Sequence, residues 1–377
     1  MSYFLRFISL LLVAALAAGC AAAGPADLLG VNGLNSEKER VAEPPLPLTD
    51  LEILAEGNRA FAFNLFHVLP QGKNLFFSPY SISLAMAMTY AGARGETEQQ
   101  MAQALQFTLP QARLHPAFSA VGQDLASRKD LDEVQYGPGV DDSGFRLHIV
   151  NDLWGQQDHP FQVEFLDLLS ANYSSDLRLV DFINDPEGAR QTINDAVAEQ
   201  TEQRIQNLIP AGAIDPLTRL VLTNAIYFNA AWRNEFEPSL TEPGAFTRLD
   251  GSRVEVPMMK LRSSTILAYQ DGNGYRAVAL PYENNHLEMW IFVPDKGHYA
   301  RFEATLDSDR LESILSHVGY REVNLTMPRF RIDDEFLLGE TLRQLGMPLA
   351  FDPAQADFTG ISSKGNLPIS EVVHTAF

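Results

Sequence analysis

The chain has 377 residues, 46% apolar and 20% charged, an ordinary composition for a globular protein with a large buried core. Its formal net charge is −20, with no run of clustered Lys and Arg; this argues against nucleic acid as a partner, because phosphate binding needs concentrated cationic side chains. A single cysteine, Cys20, rules out an intrachain disulfide and leaves no thiol nucleophile in a folded domain, so packing must supply the stability.

Residues 1–19 read as a targeting segment. Arg6 and the amino terminus give a positive end, and residues 7–16 give a short apolar run, too short to span a bilayer comfortably. Leu16-Ala17-Ala18-Gly19-Cys20 then resembles a bacterial lipobox, in which the thiol is acylated and becomes the new amino terminus; Ala17 stands where the motif favours Leu. The alternative is a plain signal peptide with Cys20 incidental. Both predict export, and the first predicts a lipid-anchored protein of the bacterial cell envelope, at the outer membrane or cell surface, in the periplasm or extracellular space. Residues 20–50 are rich in Ala, Gly, Pro and Glu and read as a flexible tether with a Pro-rich end, so folded structure is expected over 51–377.

Thr49-Asp50 is a candidate helix cap; Leu54, Phe61, Leu65 and Val68 then recur at helical spacing until Pro70-Gln71-Gly72 breaks the run. Leu75-Phe76-Phe77 predicts a short buried strand. Ser78-Pro79 has the form of a helix start. The helix over 80–90 carries Ser81, Ser83, Ala85 and Ala87, with Ala91 just beyond, so another element must pack very close to it. Gly92 and Gly95 end that helix, and Thr97-Glu98-Gln99-Gln100 resembles a capping box opening a helix through Leu105. The acidic stretch 130–143 reads as a surface loop. Beyond it, 147–153 reads as a strand, 163–173 and 187–206 as helices, and 220–229, 254–259, 275–280, 287–293 and 323–328 as strands. A Leu-rich helix is expected over 334–345, ended by Gly346, and an extended segment over 369–377. Mixed elements with many antiparallel strands make the class α+β.

No G-x-S-x-G elbow and no H-E-x-x-H zinc signature occurs, and the eight histidines are scattered without an acidic or thiol partner at ligand spacing. Gly272-Asn273-Gly274 and Tyr282-Glu283-Asn284-Asn285-His286 read as hairpin turns, and Glu96 and Glu98 suit a helix start. An enzyme is not expected, nor a metal or other cofactor. One polar set stands apart: Ser78 and Ser81 at the start of the small-residue helix, Asn224 inside the apolar run 221–228, and His374 in the extended segment, on the face shared with Val372 and Ala376. Taken singly, each such polar group is more often a satisfied core residue than a functional one.

The run NLFFSPYSISLAMAMTYAGARGETEQQMAQAL closely resembles the helix segment at the heart of the serpins, a family of serine protease inhibitors. The resemblance continues in order through RLHIVNDLWG, PFQVEFLDLL, LVLTNAIYFNAAW, FEPSLT, VPMM, AVALPYENNHLEMWIFVP, VNLTMPRFRI, LRQLGMPLAFDPAQADFTGIS and LPISEVVHTAF, and covers roughly 54–377. The FSPYSI, TNAIYF and PRF runs are its most specific parts.

The resemblance implies a single α+β domain with the serpin fold: a large central sheet of antiparallel and mixed pairing, two smaller sheets and eight or nine helices. It implies an inhibitor of serine-type endopeptidases that acts as a suicide substrate. An exposed loop is cut, the protease is acylated, and the cut loop inserts as a strand into the central sheet, driven by a native state that is not the most stable one. A non-inhibitory serpin, acting as a binding or chaperone module, is the second reading. By position, Ser78, Ser81, Asn224 and His374 match the polar cluster called the shutter, beneath the centre of that sheet. Trp232 matches the aromatic residue at the breach, near the top, where the loop first enters. Ala196 stands where serpins often carry Trp. A hinge, the reactive loop with its scissile bond, and the last strands would follow Phe377. None is in this sequence, so the chain as given is expected not to inhibit and to fold poorly alone, as an incomplete form. The implied partners are a serine protease, with cysteine proteases as a second class, and the membrane through the lipid anchor. Residues 111–130 hold no basic cluster for a heparin-type cofactor, and a monomer is expected.

Overall fold

The computed structural model describes residues 33–376 except 35, 37, 43, 45, 71, 137–145, 174, 284–286, 333 and 366. Cys20, the tether up to residue 32 and Phe377 lie outside the described residues, as do parts of the acidic stretch 130–143 and of the 282–286 turn. Thirteen strands and nine helices are described. In chain order they begin with β1 (Gly33–Leu34), α1 (Leu48–Val68), α2 (Pro79–Tyr90), α3 (Gly95–Ala104), α4 (Gln111–Tyr136), β2 (Arg146–Gln156), α5 (Val163–Tyr173), β3 (Leu177–Val180), α6 (Pro186–Gln200) and β4 (Leu220–Asn229). Then follow β5 (Glu242–Thr247), β6 (Arg253–Lys260), β7 (Thr265–Gly272), β8 (Tyr275–Pro281), β9 (Glu288–Pro294), α7 (Tyr299–Ala304), α8 (Ser308–Ser316), β10 (Gly319–Val323), β11 (Thr326–Pro328), β12 (Asp334–Leu337), α9 (Gly339–Gln344) and β13 (Val372–Ala376).

Three sheets result. The largest has six strands in the order β1-β3-β2-β4-β13-β12, with β2–β3 and β4–β13 parallel and the other pairs antiparallel. A four-stranded sheet runs β10-β7-β8-β9 and a three-stranded one β11-β6-β5. Strand β4 lies inside the large sheet with core on both faces, which explains its nearly continuous apolar run. One face covers the largest core cluster, built with α1, α2, α3 and the start of α4. The other carries a second cluster in which Trp154 from β2 lies with Ile193, Ala196 and Val197 of α6. Trp154 is fully buried and donates its indole N–H to Thr223 Oγ1 at 3.1 Å.

The small residues of α2 do what their density predicts. Ala85 and Ala87 are buried and the helix packs directly beneath β2 and β4, where larger side chains would hold it off. Ser78 caps the helix by accepting the Ser81 N–H at 3.2 Å, with Pro79 as the first helical residue.

Several expectations are corrected. Leu75-Phe76-Phe77 joins no ladder; it lies beside β12, with the Phe76 N–H donated to Asp334 Oδ2 at 2.8 Å and the Phe77 ring edge-on to Phe336. Helix α1 starts at Leu48, and Asp50, instead of capping it, is buried in an ion pair with Arg113 of α4. Helix α3 starts at Gly95, and Thr97 Oγ1 accepts the Asp357 N–H at 3.0 Å, a tertiary use that replaces the capping box. Residues 130–136 belong to α4. Helix α6 stops at Gln200 because Glu202 and Gln203 turn into the left-handed region, which tucks Ile205, Leu208 and Ile209 into the second cluster. The span 323–328 divides between two sheets, and 334–345 divides into β12 and α9, since 334–337 find a ladder partner in β13. Residues of the tether take part in the fold from Gly33 on.

Gly92 carries a close approach. Its carbonyl accepts the Gly360 N–H at 3.0 Å, and a Cβ placed on it would lie 2.0 Å from Ile361 Cγ1 and 2.9 Å from the Ile361 backbone nitrogen. Gly92→Ala should therefore lower stability by about 1–3 kcal/mol, because backbone as well as side chain must move. An unchanged urea midpoint in that variant would show that the contact relaxes freely.

Candidate functional site

The polar residues singled out in the sequence meet at the centre of the large sheet. The ladders place Phe336 of β12 opposite His374 of β13, His374 opposite Asn224 of β4, and Asn224 opposite Asn151 of β2. Four side chains thus form one row across four adjacent strands. His374 is fully buried and Asn224 nearly so. The Phe336 and His374 rings stack with centroids 6.3 Å apart and planes at 15°. His374 Nδ1 bonds to Asn224 Oδ1, and Asn224 Nδ2 donates to Asn151 Oδ1.

The row is tied to the helix below it. The Ser78 backbone N–H, just before α2, reaches His374 Nε2 at 3.0 Å. A backbone amide can only donate, so Nε2 must present a lone pair and the ring proton must sit on Nδ1, donating to Asn224 Oδ1. The chain of bonds then has one direction, from His374 through Asn224 to Asn151. It works only with a neutral imidazole. Burial pushes the His374 pKa down to about 3, and the positive end of α2 aims at the same nitrogen.

Of the expected cluster, the structure brings Ser78, Asn224 and His374 into direct contact. Ser81 takes part through its backbone alone; its Oγ is buried and finds no partner among the described residues. Two members were not singled out in the sequence. Asn151 lies in a stretch of mixed polarity, where only the register with Asn224 reveals it. Phe336 falls within the span expected to be helical. Trp232 lies elsewhere, just past the end of β4, stacked on Tyr282 at 4.5 Å and edge-on to Phe236. It packs against the apolar cluster of the two smaller sheets, and Tyr282, on which it stacks, meets Phe228 of β4 edge-on. Among the described residues no group of three His, Cys, Asp or Glu could hold a metal ion, and the row contains no nucleophile paired with a base.

The buried imidazoles make stability depend on pH with a definite sign. His374 is held near 3 and His115, bonded to Tyr173 OH at 2.6 Å, near 4, against 6.5 in an unfolded chain. The unfolded state takes up protons first. The contribution of the neutral rings is therefore complete above 6.5 and is lost as pH falls from 6.5 towards 4 and 3. Between about pH 6 and pH 5 the wild type should lose about 1.4 kcal/mol per pH unit for each ring. His374→Gln, less stable at neutral pH, should show roughly half that slope in urea midpoints. Equal slopes would mean that His374 is not held neutral.

Comparison with known proteins agrees with this architecture. A family model described as Serpin (serine protease inhibitor) matches residues 56–377. Human Serpin B8 is 34% identical over 340 residues, covering 87% of this chain and 85% of that protein. Human leukocyte elastase inhibitor is 32% identical over 337 residues, with the same two coverages. The structure of uncleaved ovalbumin superposes with a TM-score of 0.77 at 23% identity, over 86% of this chain and 85% of that one, and so shares the fold. Serpins are protease inhibitors rather than enzymes, and with a mixed six-stranded sheet, two smaller sheets and a match over most of its length, this chain belongs to the serpin family.

Proposed function

We propose that this chain belongs to a serine protease inhibitor that works as a suicide substrate, its cut reactive loop inserting as a strand into the large sheet. The observation that carries the reading is the junction between β4 and β13. These two strands are parallel over five residue pairs, from Val372 opposite Leu222 to Ala376 opposite Ile226. A strand entering between two parallel neighbours can run antiparallel to both, and one ladder is then replaced by two. Among the described residues, the side-chain bridge across the junction is a single hydrogen bond, His374 to Asn224. When it opens, His374 keeps Ser78 and Asn224 keeps Asn151, so each half retains a partner. In this reading Ser78, Ser81, Asn224 and His374 form the shutter, and Trp232 at the end of β4 marks the breach, where the loop first enters.

The protein carrying its full coding sequence, mixed with serine proteases and then with a cysteine protease, should form a covalent complex that survives boiling in detergent. Cleavage without any such complex would overturn the inhibitory reading and favour the non-inhibitory one.

We also propose that the chain is exported and held at the bacterial envelope by acylation of Cys20. The lone cysteine after a short apolar run and three small residues supports this. No helix among the described residues is long and apolar enough to cross a membrane. Expressed in a bacterium, the wild type should partition into the detergent phase and Cys20→Ser into the aqueous phase. Equal partitioning would remove the anchor.

A further inference from the structure

Strand β3 would be the outer edge of the six-stranded sheet, exposing a row of unpaired N–H and C=O groups that invite another strand. The chain before α1 covers it. Gly33 pairs with Arg178 and Leu34 with Leu177, antiparallel, and Leu34 packs against the main core. The segment then crosses α5. Ser36 Oγ donates to Asp167 Oδ1 at 2.6 Å and Lys38 Nζ lies 2.8 Å from Asp167 Oδ2, which holds that carboxyl below its usual range. Ser170 Oγ donates to the Lys38 carbonyl, and the Val41 N–H reaches Ala171 O at 3.1 Å. Asp167, Ser170 and Ala171 share one face of α5 at spacings of three and four. Farther on, Arg40 donates to Ser119 O of α4 and Gln123 Nε2 donates to the Val41 carbonyl at 2.9 Å. Leu46 packs against the main core just before α1 begins.

These contacts join three elements distant in sequence, and most of the polar ones end on backbone groups or on one carboxylate. A free tether would need none of them. The opposite edge, β12, is flanked by residues 73–77 through Phe76, Phe77 and Lys73, whose ammonium lies 5.6 Å from the Phe336 ring centroid.

We propose that the described residues of 33–46 act as a strap that closes the β3 edge of the large sheet and denies it to the same segment of a second copy. That segment is the competitor best matched to the edge, because it carries the same register and side chains. The strap stands whether or not the protein inhibits a protease.

The test uses the full chain with Leu34→Asp and Lys38→Glu together, which removes the apolar anchor and sets a second carboxylate against Asp167. Trypsin cleavage after Arg40 reports strap release, and hydrogen exchange over 177–180 reports the edge. Both should rise about tenfold, and the variant mixed with wild type should give a concentration-dependent heterodimer in sedimentation, since only a wild-type strap keeps the side chains that match the opened edge. A synthetic peptide of residues 33–46 should restore slow exchange. Two results would overturn the proposal: wild-type exchange over 177–180 once Arg40 has become cleavable, or unchanged cleavage after Arg40 in the double variant.

Discussion

The backbone N–H of Ser78 can only donate, and what it meets is Nε2 of a buried histidine. From that pairing the tautomer of His374 follows, and from the tautomer the orientation of the Asn224 amide and its bond to Asn151. The helix beneath must then sit at a fixed height, since its cap residue supplies the donor. That height calls for small side chains on the buried helix, and Ala85 and Ala87 are among them. A larger residue there would strain the packing and also lengthen the one bond that ties helix to sheet.

The same arrangement explains why the sheet centre is polar at all. An apolar row would pack as well and avoid the cost of desolvating an imidazole and two amides. It would also gain nothing specific from its neighbours when the sheet parts. In the observed row, the bonds to Ser78 and Asn151 lie within each half and only the bond from His374 to Asn224 spans the junction. Breaking one net hydrogen bond costs on the order of 1 kcal/mol when its groups find new partners, and considerably more while they remain buried and unpaired. An arriving strand therefore has to satisfy those two groups, which disfavours a junction standing open and empty.

Much of the fold was legible in local patterns. Strand β4 and helix α5 match their expected spans to the residue, and the cap at Ser78 follows from a Ser-Pro pair before a run of small residues. What failed were segments decided by distant partners. Residues 334–337 satisfy helical and strand spacing equally, and only pairing with β13, some forty residues later, selects the strand. Asp50 and Thr97 have the right chemistry for caps, yet their side chains are taken by Arg113 and by the Asp357 backbone. The site divides in the same way. Asn224 and His374 are visible because each interrupts an apolar run, whereas Asn151 and Phe336 become visible only when ladder registers align them.

The strap also changes what the tether can do. For a chain held at Cys20, a tether running to Leu48 could extend the domain by roughly 100 Å at about 3.5 Å per residue. With the chain fastened at Gly33, the reach from Cys20 is at most about 45 Å, whatever conformation the intervening residues take. The attachment point also moves from the start of α1 to the β3 edge of the large sheet. The domain is then presented to its surroundings with that edge nearest the anchor, while the β4–β13 junction lies two strands farther in. The edge most open to unwanted strand pairing would also be the one most crowded by neighbouring copies on the same surface. Under the proposed anchoring at Cys20, covering that edge with the segment leading to the anchor lets the same residues hold the domain at the surface and keep the sheets of neighbouring copies apart.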